Sequence, residues 1–158
     1  MRRSSFAVAA AFVAVSASFL GGCAADNTLT GSIGTSHDLT FDDVTLRIFG
    51  DQQAIELKYL HALEGGGDDI VAKVVFDEPD GRVDLDEDID LVGHNGVVER
   101  ITAKNDPFPA MQSGTLTFTA ADDQQFIRGH FNTTFENGRT LNGTFAATMT
   151  EASFDDAG

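Results

Sequence analysis

Residues 127–147, IRGHFNTTFENGRTLNGTFAA, decide the fold, because their apolar positions follow a period of two and fix a hairpin register by parity. Ile127, Gly129, Phe131, Thr133 and Phe135 share one face of one strand, and Leu141, Gly143, Phe145 and Ala147 share one face of the next. A two-residue Asn137-Gly138 turn would pair Phe135 with Thr140 and send the two apolar sets to opposite faces, so it is excluded. A three-residue loop, Glu136, Asn137 and Gly138, with Gly138 left-handed in a G1 bulge, pairs Phe135 with Arg139 and Thr133 with Leu141. Phe131 then lies across from Gly143, and Gly129 across from Phe145, so that each ring covers the bare backbone of the opposite glycine. Both segments have the form aliphatic, any, Gly, any, Phe, which is two strands solving one packing problem rather than a repeated domain.

Upstream, the same alternation recurs between turn clusters. Leu116 and Phe118 alternate with Thr115, Thr117 and Thr119; Val44, Leu46 and Ile48 alternate with Thr45 and Arg47. Ile70, Ala72, Val74 and Phe76 alternate with a second, partly apolar face, as in a strand buried on both sides. Val83, Leu85, Ile89 and Leu91 lie at even spacing with Asp84, Asp86, Asp88 and Asp90 between them. Gly66, Pro79-Asp80-Gly81, Asn95-Gly96 and Asp122-Asp123 mark turns. Segment 51–65 is ambiguous. Ala54, Leu57, Leu60 and Leu63 have helical spacing, with Asp51 as a cap and Gly65 to Gly67 as a stop, whereas Ile55, Leu57 and Tyr59 alternate as a strand. The strand is favoured, because its neighbours are strands joined by short connections. The fold expected is all-β: a single antiparallel β-sandwich or β-barrel-like domain of about eight to nine short strands.

The amino terminus carries a different signal. Arg2 and Arg3 precede the uncharged stretch Phe6 to Leu20, which is short for a permanent membrane helix and reads as an export signal. The two arginines hint at twin-arginine export, but Ser4, Ser5 and Phe6 fit that pattern poorly. The stretch ends in Leu20-Gly21-Gly22-Cys23, which resembles the lipobox of bacterial lipoproteins, and the single cysteine of the chain stands at the lipidated position. The resemblance implies cleavage before Cys23 and a diacylglyceryl, N-acylated cysteine as the new terminus. Several acyl chains on one residue make a stable anchor, each buried methylene contributing about 0.8 kcal/mol. In the better-known lipoprotein sorting rule an Asp after the cysteine retains the protein at the inner membrane; Ala24 stands here and leans toward the outer membrane. Residues 113–149 are similar in pattern to the C-terminal halves of small, uncharacterised β-rich bacterial lipoproteins, a likeness that implies no activity. The organisation expected is a cleaved signal over 1–22, a lipidated tether over 23–28, a β-rich domain over 29–150 and an acidic tail over 151–158.

Charge narrows the partners. The chain of 158 residues has 10 Lys plus Arg against 25 Asp plus Glu, a formal −15. Loss of 1–22 removes Arg2 and Arg3 and no acid, leaving 8 basic residues and −17. Nothing gathers the cations into a patch, so nucleic acid is not an expected partner. Such a charge favours solubility and repels anionic headgroups.

Candidate chemistry is sparse. Asp84, Asp86, Asp88 and Asp90 at period two would lie about 6.5 to 7 Å apart along one face of a strand, too dispersed to converge on one calcium ion. No Asp-x-Asp-x-Asp-Gly loop occurs, since Ile89 stands where Gly is needed. The run reads as a solvated face that discourages edge pairing. His37, His61, His94 and His130 lack metal-ligand spacing. His130 alternates with Arg128, Asn132 and Thr134 on a polar outward face open to ligand or solvent alike. There is no Gly-x-Ser-x-Gly elbow, no Ser-x-x-Lys step and no Gly-rich phosphate loop. The absence of Trp and the single Tyr argue against a sugar-stacking groove. No catalytic, cofactor or metal residue is therefore named, and lipidation at Cys23 is the one modified position. The function expected is that of a non-enzymatic binding or structural domain of the bacterial cell envelope, held by membrane lipid and serving an envelope protein partner. Its alternatives are a calcium-dependent ligand-binding or adhesion domain, and a small hydrolase with a carboxylate/His site.

Overall fold

The computed structural model describes residues 27–50, 53–78, 84–122 and 125–152. Among them the chain forms nine strands and a single 3-10 turn, Ser32–Thr35, with no α-helix. No helix among these residues is long and apolar enough to cross a membrane. The strands are β1 Thr28–Thr30, β2 Asp43–Phe49, β3 Ala54–Ala62, β4 Asp68–Asp77, β5 Asp88–Asp90, β6 Val97–Ile101, β7 Met111–Ala121, β8 Phe126–Phe135 and β9 Thr140–Ala152. They make one sheet in the order β5-β7-β8-β9-β2-β3-β4-β6, with β1 also paired to β9.

The β8–β9 hairpin has the register that parity demands. Thr133 faces Leu141, Phe131 faces Gly143 and Gly129 faces Phe145. The Phe135 N–H donates to the Arg139 carbonyl at 2.8 Å, and Gly138 sits at φ 76°. A methyl group on Gly143 would collide with the Phe131 ring and the Tyr59 hydroxyl, and one on Gly129 with the Phe145 ring. The rings occupy the volume that side chains would take at these positions.

Segment 54–62 is a strand, as favoured: β3 pairs with β4 along its whole length and with β2 from Ala54 to Leu60. A register shift in β4 next to Val71 lets both Val71 and Ala72 turn inward, so this strand buries residues off the simple alternation. The regular strand read from Val83 to Leu91 is not what forms. Val83 lies outside the described residues, Asp86 takes a left-handed φ of 61°, and pairing with β7 is broken into a single bridge from Leu85 to Phe118 and the short strand Asp88–Asp90. Strand alternation therefore does not extend over Asp84 and Asp86. The sheet is also mixed rather than purely antiparallel, because β9 runs parallel to β2 from Met149 to Ala152.

The sheet is strongly curled into a half-barrel. Phe76 on β4 and Phe118 on β7 are five strand positions apart in the sheet order, which on a flat sheet is about 24 Å. Their ring centroids are 6.4 Å apart, so the two wings of the sheet close over a shared interior. Tyr59 crosses that interior: it is fully buried, its hydroxyl donates to the Thr144 carbonyl at 2.9 Å, and its ring meets Phe41 and Phe131 edge-on. Burial pushes its phenol pKa far above the ordinary value. Six of the phenylalanines, Phe76, Phe108, Phe118, Phe131, Phe135 and Phe145, are buried in the one core. The two edge strands, β5 and β6, are joined by the loop 91–96, whose Leu91 plugs the interior with no exposure.

Candidate functional site

The densest gathering of charged groups forms around Arg100, on the inward face of β6. The shift in β4 leaves the Val71 carbonyl free to accept from Arg100 Nη1 at 3.2 Å. The same nitrogen donates to the Asp38 carbonyl at 2.9 Å, and Nε donates to Asp106 Oδ1 at 3.2 Å. The guanidinium also lies 5.9 Å from the centroid of the Phe108 ring. Only 7% of Arg100 is exposed, at the base of a cavity of 170 Å³ also lined by His61, Asp69 and Lys104. His61 Nδ1 is 2.7 Å from Asp42 Oδ2.

The chemistry of this cluster is that of a fastener. Asp38 Oδ1 accepts from the Thr40 N–H and hydroxyl, Asp69 Oδ1 from the Ala103 N–H at 2.8 Å, and Asp42 Oδ2 from the Ala62 N–H at 3.0 Å. Asp38 thus secures a local turn, while Asp42 and Asp69 tie segments 20 and 34 residues apart. The hydroxyls at hand, Thr40 and Thr102, donate to Asp38 and Asp106 and not to a histidine, so neither is aligned with an imidazole base. The Thr102 hydroxyl, helped by Arg100, holds the Asp106 pKa below the ordinary value, and the Thr40 hydroxyl and N–H do the same for Asp38. Depressed carboxylate pKa values stabilise the fold fully above about pH 4, the unfolded value, and the stabilisation is lost as pH falls through the folded values. The urea midpoint should therefore fall as pH is lowered below about 4, and fall less steeply in Asp106→Asn. An equal slope in the variant would remove Asp106 from the account.

The second surface is the outer face of β5-β7-β8-β9-β1. Cross-strand register sets Asp90, Thr115, Asn132, Asn142 and Thr30 in one row, and Asp88, Thr117, His130, Thr144 and Thr28 in the next. Ser113, Thr134 and Thr140 extend a third row toward Ser32. These rows carry hydroxyl, amide, imidazole and carboxylate groups and no aliphatic side chain, and a depression of 260 Å³ lies among them. Several groups pair with each other, as in Thr117 to Asp88 at 2.6 Å and Thr28 to Thr144 at 2.8 Å. His130 takes its expected outward place here.

The other sequence candidates are dispersed. His94 caps the loop after β5 through the Asp90 carbonyl, 2.9 Å from Nδ1. His37 Nδ1 is 2.8 Å from the Ser36 hydroxyl, which is also contacted by Arg139, a grouping that no spacing rule flags. Asp84, Asp86, Asp88 and Asp90 are all exposed, and among the described residues no three His, Cys, Asp or Glu side chains come together as a metal-binding group. Asp88 is engaged by Thr117, and Asp90 Oδ1 by the Val92 N–H at 3.2 Å. Millimolar calcium should accordingly leave the melting temperature unmoved, and a rise of several degrees would revive the cation-dependent reading. Cys23, Asp51, Pro79 to Gly81 and Asp123 lie outside the described residues. Comparison with protein-family models, curated proteins and solved structures finds no match to this chain.

Proposed function

We propose that this chain is a lipid-anchored protein of the bacterial cell envelope, carried on acylated Cys23 at the outer membrane, whose β-domain is a non-enzymatic binding or structural module. The observation that carries the reading is how soon after Cys23 the folded part begins. Asn27 already accepts the Ala146 N–H on its Oδ1 at 2.7 Å, and the Thr28 N–H donates to the Thr144 hydroxyl at 3.0 Å. Four Cα steps of 3.8 Å separate Cys23 from Asn27, a reach of at most about 14 Å. A lipid on Cys23 would thus hold the β1 side of the half-barrel close to the headgroups, within contact range of neighbouring envelope proteins.

Labelled palmitate should enter the full chain expressed in a bacterium and fail to enter Cys23→Ala, which should accumulate with its amino terminus uncleaved. Mass spectrometry of native material showing an intact amino terminus and a free thiol would overturn the placement.

A further inference from the structure

We infer that the free edge of β6 and the groove beside it accept an extended, cationic peptide segment, which adds to the sheet as a further strand. The inference deepens the reading of the domain as a binding module by naming the class of its partner. It starts from the two ends of the open sheet, which differ. β5 has three residues and turns Asp88 and Asp90 outward, a short acidic edge of the kind that resists pairing. β6 has five residues, pairs only with β4 among the described residues, and presents Val97 and Ile101 outward at 49% exposure each. Val92, in the loop leading to β6, is 52% exposed. These are three of the five exposed large apolar side chains among the described residues, gathered on one strand edge.

Beside that edge runs a groove of 390 Å³, between β6 and the segment 108–111 that leads into β7. Its wall includes Val98 and Phe108, both members of the buried core, so the groove opens onto the interior where the half-barrel is incomplete. This volume falls in the range of sites that take a ligand. A strand laid along β6 would satisfy the outward N–H and C=O groups of the edge and place alternate side chains in the groove and against Val97 and Ile101.

Charge selects the occupant. Glu99 lines the groove, and Glu136 donates its N–H to the Ala110 carbonyl at its end. Lys73 meets Glu99 Oε1 at 2.6 Å but leaves the Glu99 side chain 42% exposed, and Arg100 is held by Asp106 on the inward face. An edge on a chain of net −15 with Glu99 at its rim favours Lys or Arg between the apolar side chains of the partner. It disfavours edge-to-edge pairing of two copies, which would set Glu99 against Glu99 about the two-fold axis.

The test uses the full chain in a nonionic detergent and a blocked decapeptide alternating Val and Lys, followed by fluorescence anisotropy. That peptide should bind at least ten-fold more tightly than its Val and Glu counterpart, and more tightly than a form with alternate backbone nitrogens methylated. Val97→Thr with Ile101→Thr should weaken binding five- to ten-fold at an unchanged melting temperature. Leu63→Thr, at an exposed apolar residue away from the groove, should bind as the parent does. Equal affinity for the two peptides, indifference to the β6 substitutions, or a stable dimer with β6 buried between copies would overturn the inference. Peptide binding by a chain that takes up no palmitate would uphold this site and remove the lipid-anchored placement, so the two failures are separable.

Discussion

Phe131→Ala should lower the unfolding free energy by about 3 to 5 kcal/mol, the cost of emptying a fully buried aromatic site. Gly143→Ala should cost about 1 to 3 kcal/mol for the opposite reason, since the added methyl meets the Phe131 ring and the Tyr59 hydroxyl. The informative measurement is the double variant. With the Phe131 ring gone, the methyl on residue 143 has somewhere to go, so the pair should cost less than the two single changes together. Urea denaturation of all four proteins gives the coupling. Strict additivity would mean that the ring and the glycine do not share the volume that the register assigns to them.

Arg100→Leu should cost about 3 kcal/mol, although its aliphatic replacement is of suitable size for an interior position. The guanidinium serves two backbone carbonyls and Asp106 at once, and each buried acceptor left without a donor costs about 1 to 3 kcal/mol. Arg100→Lys should recover little of the loss, because one ammonium does not span the three directions that the planar fork reaches. The effect should persist in 1 M salt, where exposed ion pairs are screened and buried ones are not. A leucine variant as stable as the parent would show that water replaces the guanidinium without cost.

Those two variants also mark which parts of the molecule sequence discloses. The β8–β9 pairing was legible to the residue, because a period of two leaves no freedom once two apolar sets must share a face and a Gly sits at the end of the loop. The strand at 54–62 was legible by context, since its helical spacing carried no weight against flanking strands. The acidic segment was misread, because even spacing of Leu, Ile and Asp also fits a stretch that bends at Asp86, and a left-handed Asp leaves no mark in the pattern. The Arg100 cluster was invisible for a geometric reason. It unites residues from 38 to 106 through a strand irregularity at Val71, and no local spacing encodes where an irregular strand leaves a carbonyl bare. The polar rows were foreshadowed by the alternation around His130, but their width depends on cross-strand register over five strands. The free edge of β6 follows from sheet order, which long-range pairing sets.

The dual pairing of β9 bears on when this molecule becomes folded at all. The last strand described lies in the middle of the sheet, antiparallel to β8 along one side and shared on the other between β1 and β2. Thr28, the first residue of the sheet, bonds to Thr144 of this last strand across 116 positions. Until β9 emerges, β8 and β2 have no strand to bridge them, and the two wings have nothing to close around. Contacts so remote in sequence form slowly. A chain made from its amino terminus would therefore stay loose until this strand arrives, and would close only then.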